Sequence, residues 1–82
     1  MWKEESNKLS IHIEFKDFAE AMGFIIELSI KAEKMNHHPT WNNTWNKVDI
    51  YLCTHDAGDS ITAKDRILAK YIDEVLVKYQ LK

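Results

Sequence analysis

The hydrophobic spacing of this chain changes period once near its start, and that change constrains the fold more than any other feature. Leu9, Ile11, Ile13 and Phe15 alternate with Ser10, His12 and Glu14, the two-residue repeat of a strand with one buried face. From Phe18 the repeat becomes helical. Phe18, Ala21, Met22, Ile25, Leu28, Ser29 and Ala32 form a core-facing stripe over roughly residues 18–35. Between the two lies Asp17-Phe18-Ala19-Glu20, which reads as a capping box with Asp17 at N-cap and Glu20 at N3.

The remaining elements follow from similar signals. A short strand is expected near Trp2–Ser6, with Asn7-Lys8 as the turn into the alternating strand. Gly23 inside the helix permits a close approach and weakens the helix by about 1 kcal/mol relative to Ala. Pro39 pushes His38 away from helical dihedrals, so the helix should stop near Asn36. Val48–Thr54 is the next strand, with Thr44–Lys47 as its extension or a short partner. Asn42-Asn43-Thr44 reads as a polar turn between Trp41 and Trp45. After the polar loop Asp56–Ser60, Thr62-Ala63-Lys64-Asp65 forms a second capping box. It opens a last helix whose stripe is Ile67, Leu68, Tyr71, Ile72, Val75 and Leu76. The order β-β-α-β-α predicts an α+β layer domain, an antiparallel sheet with its helices packed on one face. One domain spans residues 1–82.

Composition narrows the classes of function. Hydrophobic residues make up 45% of the 82, enough for one small core and too many for a disordered chain. Eleven Lys and Arg stand against 13 Asp and Glu, a net charge of -2. No basic block exceeds two residues, so direct nucleic-acid binding is not expected. No stretch has the length or apolarity of a membrane span or a signal-peptide core. The cytoplasm is the expected compartment. Cys53 is the only cysteine, which excludes an intramolecular disulfide. Its place inside the Val48–Thr54 run favours buried packing over chemistry. A domain this small gains buried surface by assembling, so a homo-oligomer is expected.

The chemistry concentrates in Glu33-Lys34-Met35-Asn36-His37-His38-Pro39-Thr40-Trp41, which holds two of the four histidines. Imidazoles titrate nearest neutral pH, and paired histidines are natural proton carriers. Glu33 and His37 are four apart, so a persisting helix places Glu33 to orient His37. A helix-terminal ion pair is the competing reading of Glu33. Metal ligation by His37 and His38 is the weaker alternative, since the sequence offers neither a Cys cluster nor a His-Glu-x-x-His pattern. Trp41 is a candidate stacking surface for a flat, nitrogen-rich ring. Core packing competes with that reading, more strongly for Trp45. His55 follows a strand end, where the sheet holds a side chain firmly beside a loop-lined cleft. Asp65 reads first as the N3 member of its capping box and can also close one side of a pocket. His12 falls on the open sheet face and is the least specific histidine.

The run His37-His38-Pro39, Trp41, Trp45, Val48, Ile50, Leu52 and Thr54-His55-Asp56 resembles the pterin-4a-carbinolamine dehydratase family. That family's pattern is His-His-Pro-x-Trp, an aromatic residue, an alternating strand and Thr-His. Glu33 matches its acidic position. Phe15-Lys16-Asp17-Phe18, Ala21 and Phe24 match the opening of its first core helix, and Thr62, Asp65 and Ala69 its final helix. The resemblance implies dehydration of 4a-hydroxytetrahydropterin to quinonoid dihydropterin, a recycling step for the tetrahydrobiopterin-type cofactor. It implies His37, His38 and His55 as catalytic groups, and Glu33, Pro39, Trp41 and Asp65 as residues that bind or orient the pterin. It implies no metal and no cofactor, and a homodimer or homotetramer. Three alternatives remain open: pterin binding without turnover, a transcription-factor dimerisation partner, and a role in molybdopterin metabolism. There are two departures from the pattern. The chain begins too late to supply the helix that the family commonly places before its first strand. The loop Asp56–Ile61 is one residue longer than the usual Thr-His-Asp-x-Gly-Gly-Leu-Thr form, with Asp59-Ser60 replacing part of its glycine-rich turn.

Overall fold

The alternating and helical periods become a strand and a helix joined by a three-residue link. A computed structural model describes residues 1–81. The chain runs β1 (Lys3–Glu5), β2 (Lys8–Glu14), α1 (Phe18–Met35), β3 (Thr40–Thr44), β4 (Lys47–Leu52), a 3-10 turn (His55–Ala57) and α2 (Ala63–Leu76). The strands form one antiparallel sheet in the order β1-β2-β4-β3.

The register explains the layering. Leu9, Ile11 and Ile13 face Leu52, Ile50 and Val48 across the β2–β4 ladder. All six are buried, and they share one core with the buried faces of both helices. Ser10, His12 and Glu14 pair with Tyr51, Asp49 and Lys47, so the opposite face carries the polar set. Both helices thus cover one face of the sheet. At one end of the core Phe15 meets Phe24 at 5.1 Å between ring centroids, and Tyr79 edge-on at 5.2 Å. Each buried Phe stabilises the fold by roughly 1.5–3 kcal/mol relative to leaving it exposed.

The structure corrects several details of the sequence reading. The expected β-β-α-β-α order gains a strand, because Thr40–Thr44 pairs with Lys47–Tyr51. Asn42 and Asn43 therefore lie in an edge strand rather than a turn. The turn is Trp45-Asn46, with Trp45 at φ 52° and 59% exposed, not packed in the core. The first hairpin turns at Ser6-Asn7, one residue earlier than expected. Both residues have positive φ (52° and 61°), as a two-residue hairpin that follows the sheet twist requires. On α1 the buried stripe is Ala21, Phe24, Ile25, Leu28 and Ala32, while Phe18 is 49% exposed. On α2, Ile67 is 57% exposed and Ala69 takes its place in the core. Gly23 serves no close approach, since a Cβ there would meet nothing within 4 Å.

Candidate active site

The histidine segment is shaped by how α1 ends. Asn36 adopts the left-handed conformation (φ 51°), and its N–H bonds back to the carbonyls of Ala32 and Glu33. The His37 N–H also donates to the Ala32 carbonyl, at 3.0 Å. This closure satisfies orphan helix carbonyls and reverses the chain. His37 consequently turns inward and is buried, whereas His38 stays exposed. The expected pairing of Glu33 with His37 is not formed. Helical i,i+4 geometry ends at Asn36, and Glu33 Oε1 instead lies 2.9 Å from His38 Nε2.

His37 finds its carboxylate on α2. Its Nε2 lies 2.6 Å from Asp65 Oδ1. Asp65 is 0% exposed. Its Oδ2 accepts from Thr54 Oγ1 at 2.8 Å and from the Thr62 N–H at 2.9 Å. Thr62 and Asp65 form the expected capping box, so one carboxyl group caps α2 and anchors the imidazole. Burial pushes the Asp65 carboxyl upward. The hydrogen bonds from Thr62, His37 and Thr54 outweigh that and hold it below the usual carboxylate value of 3.8. An ionised Asp65 only accepts hydrogen bonds, which assigns the Nε2 proton to His37 and leaves Nδ1 for other chemistry.

His55 is positioned differently. Beyond β4 the chain stays tied to the loop through a Thr54–Ser60 bridge, with the Thr54 N–H donating to the Ser60 carbonyl at 2.8 Å. The 3-10 turn closes at Gly58 (φ 73°), and Asp59 follows at φ 56°. Two successive left-handed residues return Asp59 to the start of the turn, where Oδ1 meets His55 Nδ1. This pair is open to water, with side chains 83% and 66% exposed, against 10% and 0% for His37 and Asp65.

His37, His38 and His55 line one pocket of about 160 Å³, together with Asn36, Cys53, Thr54, Asp56 and Lys64. Asp65 lies behind His37 as its support, and Glu33 touches the site through His38. Pro39 and Trp41 are not among the lining residues. Trp41 is half-buried against the core from the edge strand. Cys53, expected to be core, is half-buried and borders the pocket. Sequence reasoning missed Thr54 and Lys64 as site residues. A second depression of about 340 Å³ adjoins His55 and Cys53 on the other side. A third, of about 250 Å³, lies over the open sheet face beside His12. There His12 is held by Asp49 at 2.7 Å and Glu14 at 3.2 Å. Among the described residues, the donor set able to hold a metal ion is Cys53, His55 and Asp59, with ligand atoms within 4.8 Å of one another.

The family model described as pterin 4 alpha carbinolamine dehydratase matches residues 1–75. Two curated relatives are provisionally named pterin-4-alpha-carbinolamine dehydratase. The one from Burkholderia ambifaria is 50% identical over 83% of this chain and 66% of its own length. The one from Rhodospirillum rubrum is 50% identical over 76% of this chain and 64% of its own length. The chain thus spans slightly less than two thirds of the relatives it matches. A crystal structure of a transcriptional coactivator/pterin dehydratase from Brucella melitensis superposes with a TM-score of 0.85 at 33% identity, covering 90% of this chain and 80% of that one. A pterin dehydratase-like protein identified as a RuBisCO assembly factor in the alpha-carboxysome shares the fold, with a TM-score of 0.73 at 20% identity. That match covers 90% of this chain and 84% of the other. With the family model matched over nearly the whole chain, and with a fold and histidine-lined pocket consistent with it, this chain belongs to the pterin 4 alpha carbinolamine dehydratase family.

Proposed function

We propose that this chain dehydrates a 4a-hydroxytetrahydropterin to the quinonoid dihydropterin and water. The observation that carries the reading is the convergence of His37, His38 and His55 on one pocket, with His37 locked to a buried carboxylate. The reaction moves only protons and water. A ring-nitrogen lone pair expels the 4a-hydroxyl as the carbon–oxygen bond breaks. One imidazolium protonates the departing oxygen, and one neutral imidazole takes the proton from the ring nitrogen. His37 and His55 are assigned to these two transfers. His38, steadied by Glu33, orients the pterin and can share a transfer. Asp65 acts as a positioning residue through His37. The depression beyond His55 offers room for a substituent on the ring system.

The test is turnover of freshly generated 4a-hydroxytetrahydropterin by exhaustively chelated protein. Acceleration over the spontaneous reaction supports the reading. Tight pterin binding without acceleration selects a non-catalytic role instead. That second reading draws on the Brucella protein, which is described as a transcriptional coactivator as well as a pterin dehydratase.

A homo-oligomer acting in the cytoplasm completes the proposal. Ile26 and Ile30 lie exposed on α1 at 58% and 56%, and β1 and β3 are sheet edges. No helix among the described residues is long and apolar enough to cross a membrane. Sedimentation at assay concentration should show more than one subunit, and a monomer with full activity would reject an obligatory assembly.

A further inference from the structure

We propose that Cys53, His55 and Asp59 form a binding site for a borderline divalent transition metal of the Zn²⁺ class, and that its occupancy switches the pterin pocket off. The three side chains present a sulfur, an imidazole nitrogen and a carboxylate oxygen within 4.8 Å of one another. That spread is the one a single ion closes by drawing its ligands to about 2.0–2.3 Å. The donor types select the ion. A thiolate and an imidazole disfavour Mg²⁺ and Ca²⁺, which take oxygen shells, and suit Zn²⁺, Co²⁺ and related ions. Three protein ligands leave a tetrahedral ion one position for water.

The ligands are presented by the fold in a way that permits closure. Cys53 follows the last residue of β4 and is half-buried. Thr54, between Cys53 and His55, is buried and tied to both Ser60 and Asp65, so the strand end is fixed. Asp59 arrives from the opposite arm of the loop and is exposed. His55 and Asp59 already share a hydrogen bond through His55 Nδ1. An ion entering there displaces that proton, and binding requires the thiol proton to leave as well. All three residues border the depression of about 340 Å³, which supplies the route from solvent.

The regulatory half of the inference rests on the dehydratase reading, because His55 and Cys53 also line the pocket shared with His37 and His38. An imidazole bound to a metal cannot carry the proton the proposed reaction assigns to it. Zn²⁺ should therefore inhibit turnover and a chelator should restore it.

The two halves are tested separately. Co²⁺ titration of the reduced full chain reads binding without any substrate. The expected result is one ion per chain, with the sulfur-to-cobalt charge-transfer band that only a thiolate ligand produces. Cys53→Ser should abolish that band. Asp59→Asn, at an exposed loop position, should weaken binding at least about tenfold. Absence of the band in wild type, or affinity unchanged in both variants, overturns the metal site whatever the enzyme activity. Turnover is then followed with added Zn²⁺, each variant compared with its own metal-free rate. Loss of inhibition in Asp59→Asn supports the switch. Stoichiometric Zn²⁺ binding at these residues with turnover undiminished overturns the switch and also removes His55 from proton transfer, while leaving the metal site standing.

Discussion

Of the three histidine–carboxylate pairs at the pocket, two are built in opposite ways. His37–Asp65 joins the end of α1 to the start of α2 across 28 positions and is almost wholly shielded from water. His55–Asp59 spans four positions within one loop and is open to solvent. The buried pair exists because Asp65 has further donors in Thr54 and Thr62. Without them, an ionised carboxylate in that position would be costly. The exposed pair pays no such desolvation cost and gains little, since water and salt compete for both partners. One imidazole is therefore held in a fixed tautomer and orientation, while the other is adjustable. A reaction that needs one proton removed and one delivered can use both kinds of group.

The largest expected effects break the two rings themselves. His37→Ala and His55→Ala should each lower dehydration by roughly 10²–10⁴-fold, if each imidazole performs a proton transfer. Assaying both substrate stereoisomers sharpens the division of labour, since their hydroxyls leave from opposite faces. Preserved turnover in both variants would remove the acid–base assignment.

Next come the carboxylates. Asp65→Ala strands the buried His37 and Thr54 donors and the half-buried Thr62 N–H, uncaps α2, and should cost about 3 kcal/mol of stability by denaturant unfolding. Asp59→Ala should stay within about 0.5 kcal/mol of wild type, as an exposed partner replaced by water. Equal costs for the two would erase the contrast.

The pH dependence of unfolding gives smaller effects with opposite signs. The folded-state pKa of Asp65 is lowered, so its contribution is complete at neutral pH. It is lost as pH falls below the ordinary value of 3.8 and through the depressed one. Asp65→Ala should flatten that part of the curve. The exposed His12 is raised above 6.5 by its hydrogen bond to Asp49 and then by that to Glu14. Its contribution is present below 6.5 and fades as pH rises through the raised value. His12→Gln should remove that shallow slope, the smallest of these effects.

What the sequence made legible follows the range of the interactions. The capping box of α2, the Asp17 N-cap of α1, the stop at Asn36 and the alternating faces of β2 and β4 depend on neighbours a few residues apart, and they appear where expected, except that Glu20 closes no box on Asp17 and its Oε1 accepts from the Lys16 N–H instead. Glu33 was matched to the wrong imidazole because the reversal at Asn36 rotates His37 inward, and helical spacing does not carry through that reversal. The His37–Asp65 bond was not readable as a pair, since it depends on how α1 and α2 dock on the sheet. Only the capping role of Asp65 was local. β3 went unread because Thr40–Thr44 is a half-exposed edge strand with two asparagines, where composition argues for a turn. Cys53 looked like core because its strand neighbours are core, but it follows the end of β4, where the sheet gives way to the pocket rim.

The most direct test of the central claim is a side-by-side measurement of kcat/KM for freshly generated 4a-hydroxytetrahydropterin with metal-free wild type and His37→Ala, alongside pterin affinity for both. The account predicts clear acceleration by wild type, loss of roughly 10² or more in the variant, and affinity reduced far less than turnover. A wild-type protein that binds the pterin yet leaves dehydration at its spontaneous rate would contradict it.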